Sequence, residues 1–438
     1  MARISRRNVL KAIGATALSA AGGPLWVRPG SGADLKYTPE KGAQLRVLRW
    51  KRFVQGDEDQ WMANTRKFAE ATGVSVRVDS ENFEDIRPKA AVAANVGSGP
   101  DIVLGWFDDP HQYADRLLDL TELAEYLGAK YGGWYDIVQR YCKRDGRWIA
   151  LGLGFLGGCI VYRGSMIEAA GFKKVPGDTA NFLKLLQALK AKGTPSGFAL
   201  GNAVGDANAW CHWVVWAHGG KMVDERNKVV INSKETIAGL EYAKAMYDTF
   251  VPGTLSWLDP NNNKAFLSGE ISLTLNGISI YYAAKTSQDP AVKALIKDIH
   301  HAPMPVGPVG RPTELNPLTP GFVFKHTKFP NAAREYLRFM LEKEQYEAWQ
   351  RASLGYVQQT LKAYRSNPVF VEDPKATPFR DIPERTLDSG YAGTLGPGSA
   401  GAMADYVMVN MVAEAASGSV APQAAAQRAE RRARRYYR

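Results

Sequence analysis

Three short stretches of this sequence carry aromatics, carboxylates and an amide, residue types suited to holding a small solute. Trp50, Phe53 and Asp57 form the first, Asn82 the second, and Trp106, Asp108 and Asp109 the third. Flat aromatic rings stack on the apolar faces of a ligand, and planar carboxylates and amides hydrogen-bond its polar groups. For each ring, ordinary core packing is the equal alternative. Asp108 is the preferred carboxylate, beside Trp106 and a turn-forming Asp109-Pro110. Further along, Trp210, Trp213 and Trp216 recur every three residues, which is the inner face of an amphipathic helix. Trp210, in the first turn, is the one placed to reach a ligand. Asn276-Gly277 ends an apolar run over 271–275, and its amide can bond a ligand or simply make the turn. Tyr281 and Tyr282 lie just past it on the next helix.

Catalytic chemistry finds little support. Asp108 and Asp109 are adjacent, whereas a glycosidase needs two carboxylates facing each other across a bond. There is no G-x-S-x-G and no H-E-x-x-H. His300 and His301 point to opposite sides of an extended chain and make a poor metal pair. Residues 152–157 spell G-x-G-x-x-G, a dinucleotide fingerprint that requires a helix directly after it. Gly-Cys-Ile-Val-Tyr follows instead, which prefers strand. Asp178 lies at a fitting distance, but beyond a separate helix and Pro176. The reading is a non-enzyme with no cofactor and no metal. An exported, cofactor-loaded oxidoreductase is the alternative, and a surface-adhesion module fits poorly with the central glycine-rich stretch.

The elements that position these residues alternate strand and helix. Strands are predicted over 45–50, 74–78 and 102–104, with helices over 59–71 and 83–95 between them. Gly73 stops the first helix, and Gly99-Pro100-Asp101 turns into the third strand. Ligands of α/β sheets bind outside the carboxyl ends of the strands, so 50–57, 80–83 and 106–109 share one rim. The stretch 146–172, GRWIALGLGFLGGCIVYRGSMIEAAGF, is the pivot. An extended run at 148–151 is broken by Gly152, Gly154, Gly157 and Gly158. A strand resumes at 159–162, and Ser165 caps a helix over 166–170. This stretch carries the chain from one lobe into another, as a mature chain of about 405 residues, too long for one core, requires.

Residues 1–33 read as a targeting segment. SRRNVLK (5–11) matches the twin-arginine export pattern, an Ala/Gly-rich apolar run follows, and Ser31-Gly32-Ala33 offers a cleavage site. The formal charge of +11 resides at the two ends. The first 33 residues hold five basic side chains and no acid. Residues 428–438, RAERRARRYYR, hold six arginines and one glutamate. Removing five charges for each end leaves about +1 for the body, which argues against a nucleic-acid surface. The basic end is expected to be a solvated helix end or frayed tail. Cys142, Cys159 and Cys211 allow at most one disulfide; Cys159 and Cys211 sit in apolar sequence and are expected to pack as small hydrophobes.

Several segments together resemble the extracellular solute-binding proteins of bacterial sugar ABC importers. GSGPDIVLGWFDDPHQYADRLLDLTEL (97–123) is similar to the family's G-x-G-P-D strand and LLDLT-type segment. The pivot at 146–172 resembles its hinge strand. FLKLLQALKAKGTPSGFAL (182–200), AFLSGEISLTLNG (265–277) and FKHTKFPNAAREYLRFMLEKEQYEAW (324–349) follow in family order, with a late turn at Gly355-Tyr356. The resemblance covers about 44–360. It implies a two-lobed α/β fold of the type II periplasmic-binding kind, each lobe a sheet flanked by helices, with the ligand cleft between them. The lobes would be 34–156 with 304–340, and 157–303 with 341–438, and the third crossing would fall near 339–342. It also implies a cleft-facing loop over 201–208, ligand contacts from Phe155 and Tyr356, delivery to membrane ABC permease subunits, a monomer and a periplasmic location. Four departures stand out. Gly152 replaces a proline; Gly154, Phe155 and Leu156 replace polar hinge residues; Ser279 replaces a tryptophan; and Gln358 replaces the late proline.

Overall fold

The strands that carry the architecture are β1 (Gln44–Trp50), β2 (Ser75–Glu81), β3 (Ile102–Leu104), β4 (Leu151–Phe155), β5 (Cys159–Arg163), β6 (Leu273–Asn276), β7 (Ile299–Ala302) and β8 (Leu318–Val323). The computed structural model of the chain describes residues 35–438, so the expected targeting segment and cleavage site lie outside the described residues. From Lys36 onward the chain is one compact unit. β2, β1 and β3 pair in parallel, and β8 joins antiparallel between β3 and β4, giving the order β2-β1-β3-β8-β4. A second sheet, β6-β5-β7, is antiparallel throughout. Helices flank both sheets, which makes the fold a two-lobed α/β one with a cleft between the lobes.

Local sequence explains the ends of the first helices. Gln55–Thr72 and Ile86–Val96 close on Gly73 and Gly97, each with φ near +70°, and each glycine amide donates back to Ala69 or Ala93. That left-handed conformation is cheap only for glycine.

The glycines of the pivot act differently from the expected break. β4 continues through Gly152 and Gly154, with its register against β8 slipping by one residue at Leu153, and at both glycines neighbours occupy the space of a side chain. A Cβ would lie 2.4 Å from Val138 Cγ1 at Gly152 and 2.3 Å from Val357 Cγ1 at Gly154. The chain crosses between lobes over Leu156-Gly157-Gly158. There the Gly157 amide donates to Gln358 Oε1 (2.8 Å) and the Gly158 amide to Asn316 Oδ1 (3.1 Å). β5 follows immediately, so no helix N-terminus faces these glycines.

Beyond Leu341 the chain departs from the expected division. Helix Lys343–Ala352, expected with the second lobe, packs on Gln55–Thr72 in the first. Asn64 donates to the Gln345 carbonyl (3.1 Å), and the Trp61 and Trp349 rings meet edge-on at 4.9 Å. The chain stays with the first lobe past Gln358, whose amide donates to the Phe155 carbonyl (2.9 Å). The basic C-terminus is a docked helix and not a frayed tail. Pro422–Ala433 buries Ala425, Ala426, Ala429 and Ala433 against Val407–Ala416 and Lys234–Tyr247. Its arginines pair outward, Arg434 with Glu430 (2.7 Å) and Arg428 with Glu414 (3.4 Å). All three cysteines are free and buried.

Candidate functional site

Two walls face each other across the cleft. The first lobe supplies Phe53, Phe83, Trp106, Leu156, Pro317 and Tyr356. The second supplies Val204, Gly205, Asp206, Asp259, Asn276 and Gly277. Between them is a cavity of about 30 Å³, room for little more than a water. An opening of about 370 Å³ shares Phe83, Trp106 and Val204 with it and adds Glu84, Arg87, Asn202 and Tyr406. A larger cavity of about 920 Å³, lined by Arg140, Arg144, Arg226 and Arg438, shares no residue with either.

The first wall is a set of rings fixed by the strand ends. Trp106 follows β3, donates its indole N–H to the Phe83 carbonyl (3.0 Å), and stacks on the Phe83 ring at 4.8 Å. Phe53 follows β1, meets Phe83 edge-on at 5.4 Å and lies parallel to Tyr356 at 6.1 Å. Stacked pairs of this kind hold one another's orientation, so the rings reach the cavity as a rigid surface.

The second wall is acidic and built on a helix start. Asp259 accepts the amide N–H of Asp206 (2.8 Å) and of Gly205 (3.2 Å), closing the N-terminus of helix Asp206–Ala217 from 53 residues away. Burial raises the Asp259 carboxyl to about 6, against the lowering by those amides, and Glu84 from the opposite lobe adds to the rise. Asp206 accepts from Asn262 Nδ2 (2.7 Å); burial and then the charge of Asp259 push it well above the usual carboxylate range. Two acids so close retain a proton between them to higher pH than isolated carboxyls would. Asn262 also donates to the Leu275 carbonyl (2.9 Å) and accepts from Asn276 (3.1 Å), and Ser279 donates to Asn276 Oδ1 (2.8 Å). One lobe-to-lobe hydrogen bond lies beside the cleft, from the Gly56 amide to Tyr282 Oη (2.8 Å).

Of the residues singled out in the sequence, Phe53, Trp106, Asn276 and Tyr356 line the cavity. The others do not, for separate reasons. Trp50 is buried behind Phe83 and Trp106. Asp57 is buried with both oxygens taken, by Arg49 Nη2 (2.6 Å) and the indoles of Trp50 (2.9 Å) and Trp349 (2.7 Å). Asn82 is exposed and bonds Asp85 (3.0 Å). Asp109 turns inward to Arg87 (2.5 Å) and the Trp106 amide (2.9 Å).

Asp108 is fully buried, and neither carboxylate oxygen has a hydrogen-bond partner of good geometry among the described residues. Burial raises it to about 6 against Ser399 and Arg87, which lower it. Phe155 is wholly buried in β4, and Leu156 takes the cavity position beside it. Trp210 donates to the Ala199 carbonyl (2.7 Å) and packs on Phe198 and Phe250, inside the core of the second lobe. Tyr281 faces away and donates to Asp373 Oδ2 (2.9 Å). His301 donates its Nδ1–H to the Lys375 carbonyl (2.8 Å), and no cluster of metal-ligating side chains occurs among the described residues.

Phe83, Asp206 and Asp259 are the aromatic and acidic residues of the cavity that the sequence reading did not select. Phe83 stood in the rim segment 80–83, and Asp206 in the loop that the resemblance turned toward the cleft. Asp259-Pro260 looks like an ordinary helix start, and nothing local shows that its carboxylate closes a different helix.

A sequence model of the family described as bacterial extracellular solute-binding protein matches residues 63–378. No curated protein matches the chain by sequence. Among solved structures, the chain is similar to the GacH receptor of Streptomyces glaucescens, solved unliganded and with acarbose. The TM-score is 0.75 at 17% identity, over 91% of this chain and 99% of that one. It is similar to maltose-bound T. maritima MalE3, with TM-score 0.75, 17% identity, and 90% and 99% covered. A sugar transporter from Arthrobacter chlorophenolicus A6 with bound laminaribiose gives 0.76 at 16%, with 91% and 100% covered. At such identities the likeness is one of fold.

Proposed function

The chain belongs to the bacterial extracellular solute-binding proteins, and from that premise we propose that it is the receptor of an ABC importer for a mono- or oligosaccharide. The observation that carries this reading is the opposition of Phe53, Phe83, Trp106 and Tyr356 to Asp206, Asp259 and Asn276 across one cleft. Rings supply flat faces for a sugar's C–H surface, and the acids and amide supply acceptors for its hydroxyls. Structures similar in fold carry maltose, laminaribiose and acarbose, which supports the class.

Function requires the lobes to move. A site for a small solute measures roughly 300–1,000 Å³, and the central cavity holds about 30 Å³. The lobes therefore part to admit solute and close on it, about the linkers tied by Asn316 and Gln358. Solute binding both walls shifts the balance toward the closed form by its extra affinity for that form. The closed receptor then presents both lobes to membrane permease subunits. The cleft is assigned no catalytic step and no cofactor. In this reading the twin-arginine segment at 1–33 exports the receptor to the periplasm, where it works as a monomer.

A thermal-shift screen of the mature protein against sugars, polyols, amino acids and polyamines tests the reading. A carbohydrate at a hundred times its Kd adds about 2.7 kcal/mol of stability. Stabilisation by non-carbohydrates alone overturns the sugar assignment.

A further inference from the structure

Every charged group at the heart of the cleft is acidic. Asp206 and Asp259 line the cavity, and its described lining includes no lysine, arginine or histidine. Glu84 reaches in from the opposite lobe, close enough to act on Asp259. The one cation of the adjoining opening, Arg87, is held by Asp109 at 2.5 Å. The groups acting on Asp206 are burial, Asp259 and Asn262, with no cation among them. Facing these acids are the rings of Phe53, Phe83, Trp106 and Tyr356, whose faces carry the negative side of the aromatic quadrupole. Acids without counter-ions on one wall and aromatic faces on the other form an enclosure that attracts positive charge from both sides.

Resting on the reading of the cleft as a carbohydrate site, we infer that its solute carries a positive charge, as an amino sugar or aminocyclitol does. The ammonium sits between the aromatic wall and Asp206, and the neutral ring hydroxyls bond Asp259 and Asn276. Asp206 is the selecting group because its Oδ1 has no protein donor among the described residues, whereas Asp259 is committed to two backbone amides. An arriving ammonium displaces the proton that the acid pair holds, so binding releases a proton to solvent.

The test is calorimetry on the mature protein with a matched β1,4 series of one to four units. One arm carries a 2-ammonium group (glucosamine oligomers), the other a 2-hydroxyl (glucose oligomers), and spermidine is a third arm. The expected result is at least tenfold tighter binding of the ammonium arm. That arm also releases protons, read as a heat that depends on the ionisation enthalpy of the buffer. Asp206→Asn keeps an acceptor for Asn262, and it should reduce the preference to threefold or less while the unliganded melting temperature does not fall. Equal or tighter binding of the glucose arm overturns the inference and leaves the carbohydrate reading standing. Binding of spermidine alone keeps the charge requirement and overturns the carbohydrate reading. Failure of every ammonium-bearing probe to bind, or an unchanged preference in Asp206→Asn, overturns the inference.

Discussion

Removing the Asp57 carboxylate should unfold the protein more readily without touching solute affinity. The side chain is fully buried and accepts three hydrogen bonds, from Arg49 Nη2 at 2.6 Å, Trp50 Nε1 at 2.9 Å and Trp349 Nε1 at 2.7 Å. These donors come from the end of β1 and from helix Lys343–Ala352, nearly three hundred residues later. Asp57→Ala leaves the buried Arg49 guanidinium without its counter-ion, a loss of about 3–5 kcal/mol. The two orphaned indole N–H groups add about 1–3 kcal/mol each, less whatever a water entering the gap restores. The sum is a large share of the roughly 5–15 kcal/mol that native proteins possess. Urea unfolding of Asp57→Ala, Arg49→Met and the double variant reads the effect. The double variant should be more stable than Asp57→Ala alone, because the uncompensated charge has gone with its partner. Solute affinity of folded Asp57→Ala should stay within threefold of the parent. An Asp57→Ala protein that melts like the parent yet has lost its solute would refute the reasoning, since the carboxylate would then belong to the cleft.

Gly154→Ala places a methyl 2.3 Å from Val357 Cγ1, so it should cost about 1–3 kcal/mol, and Val357→Ala in the same chain should recover most of it in thermal melts. Asp108 titrates near 6 in the folded protein and near 3.9 unfolded; its contribution is therefore fully present below about pH 4 and lost as pH rises through 6. Asp108→Asn should raise stability relative to the parent by up to about 3 kcal/mol at pH 7.5, with the gain vanishing toward pH 4 in paired melts; a gain independent of pH would refute the assignment. Tyr282→Phe removes the lobe-to-lobe bond to the Gly56 amide, worth about 0.5–1.5 kcal/mol. It should enlarge the unliganded radius of gyration in solution scattering and weaken solute binding two- to tenfold, and an unchanged radius and affinity would show that the bond does not hold the closed form.

Local grammar made the first sheet legible. Strands β1 to β3 fall within three residues of their predicted starts and ends, and Gly73 ends its helix, because an apolar run, a glycine and a turn act over a few residues. The rim of aromatics at the strand ends followed from topology. The fate of each polar rim residue did not. Asp57, Asp108 and Asp109 all stand where a ligand carboxylate would stand, yet each is withdrawn by groups remote in sequence or by burial: Trp349 for Asp57, Ser389 and Ser399 beside Asp108, and Arg87 for Asp109. Asp259 is the converse. Its sequence context is a helix start, and only the folded chain brings it to the amides of Gly205 and Asp206. A carboxylate is assigned to ligand or scaffold by the donors that reach it, and those donors are set by tertiary packing.

The departures from the family's hinge pattern make sense as a set. A glycine at 154 admits the Val357 side chain, which a larger residue would exclude. That fit brings the late turn against β4, where the Gln358 carbonyl accepts the Phe155 amide (3.0 Å). In place of the late proline, Gln358 donates to the carbonyls of Gly355 (2.9 Å) and Tyr356 (3.0 Å) and accepts the Gly157 amide. One side chain thus joins the crossing strand to the loop that carries Tyr356 into the cleft. A proline could shape the turn but could make none of these side-chain bonds. Leu156, the last of the replaced hinge residues, lines the cavity itself and adds apolar surface beside the rings. Hinge geometry and the aromatic wall are therefore coupled through Gln358. A substitution there should disturb both the angle between the lobes and the ring that meets the solute.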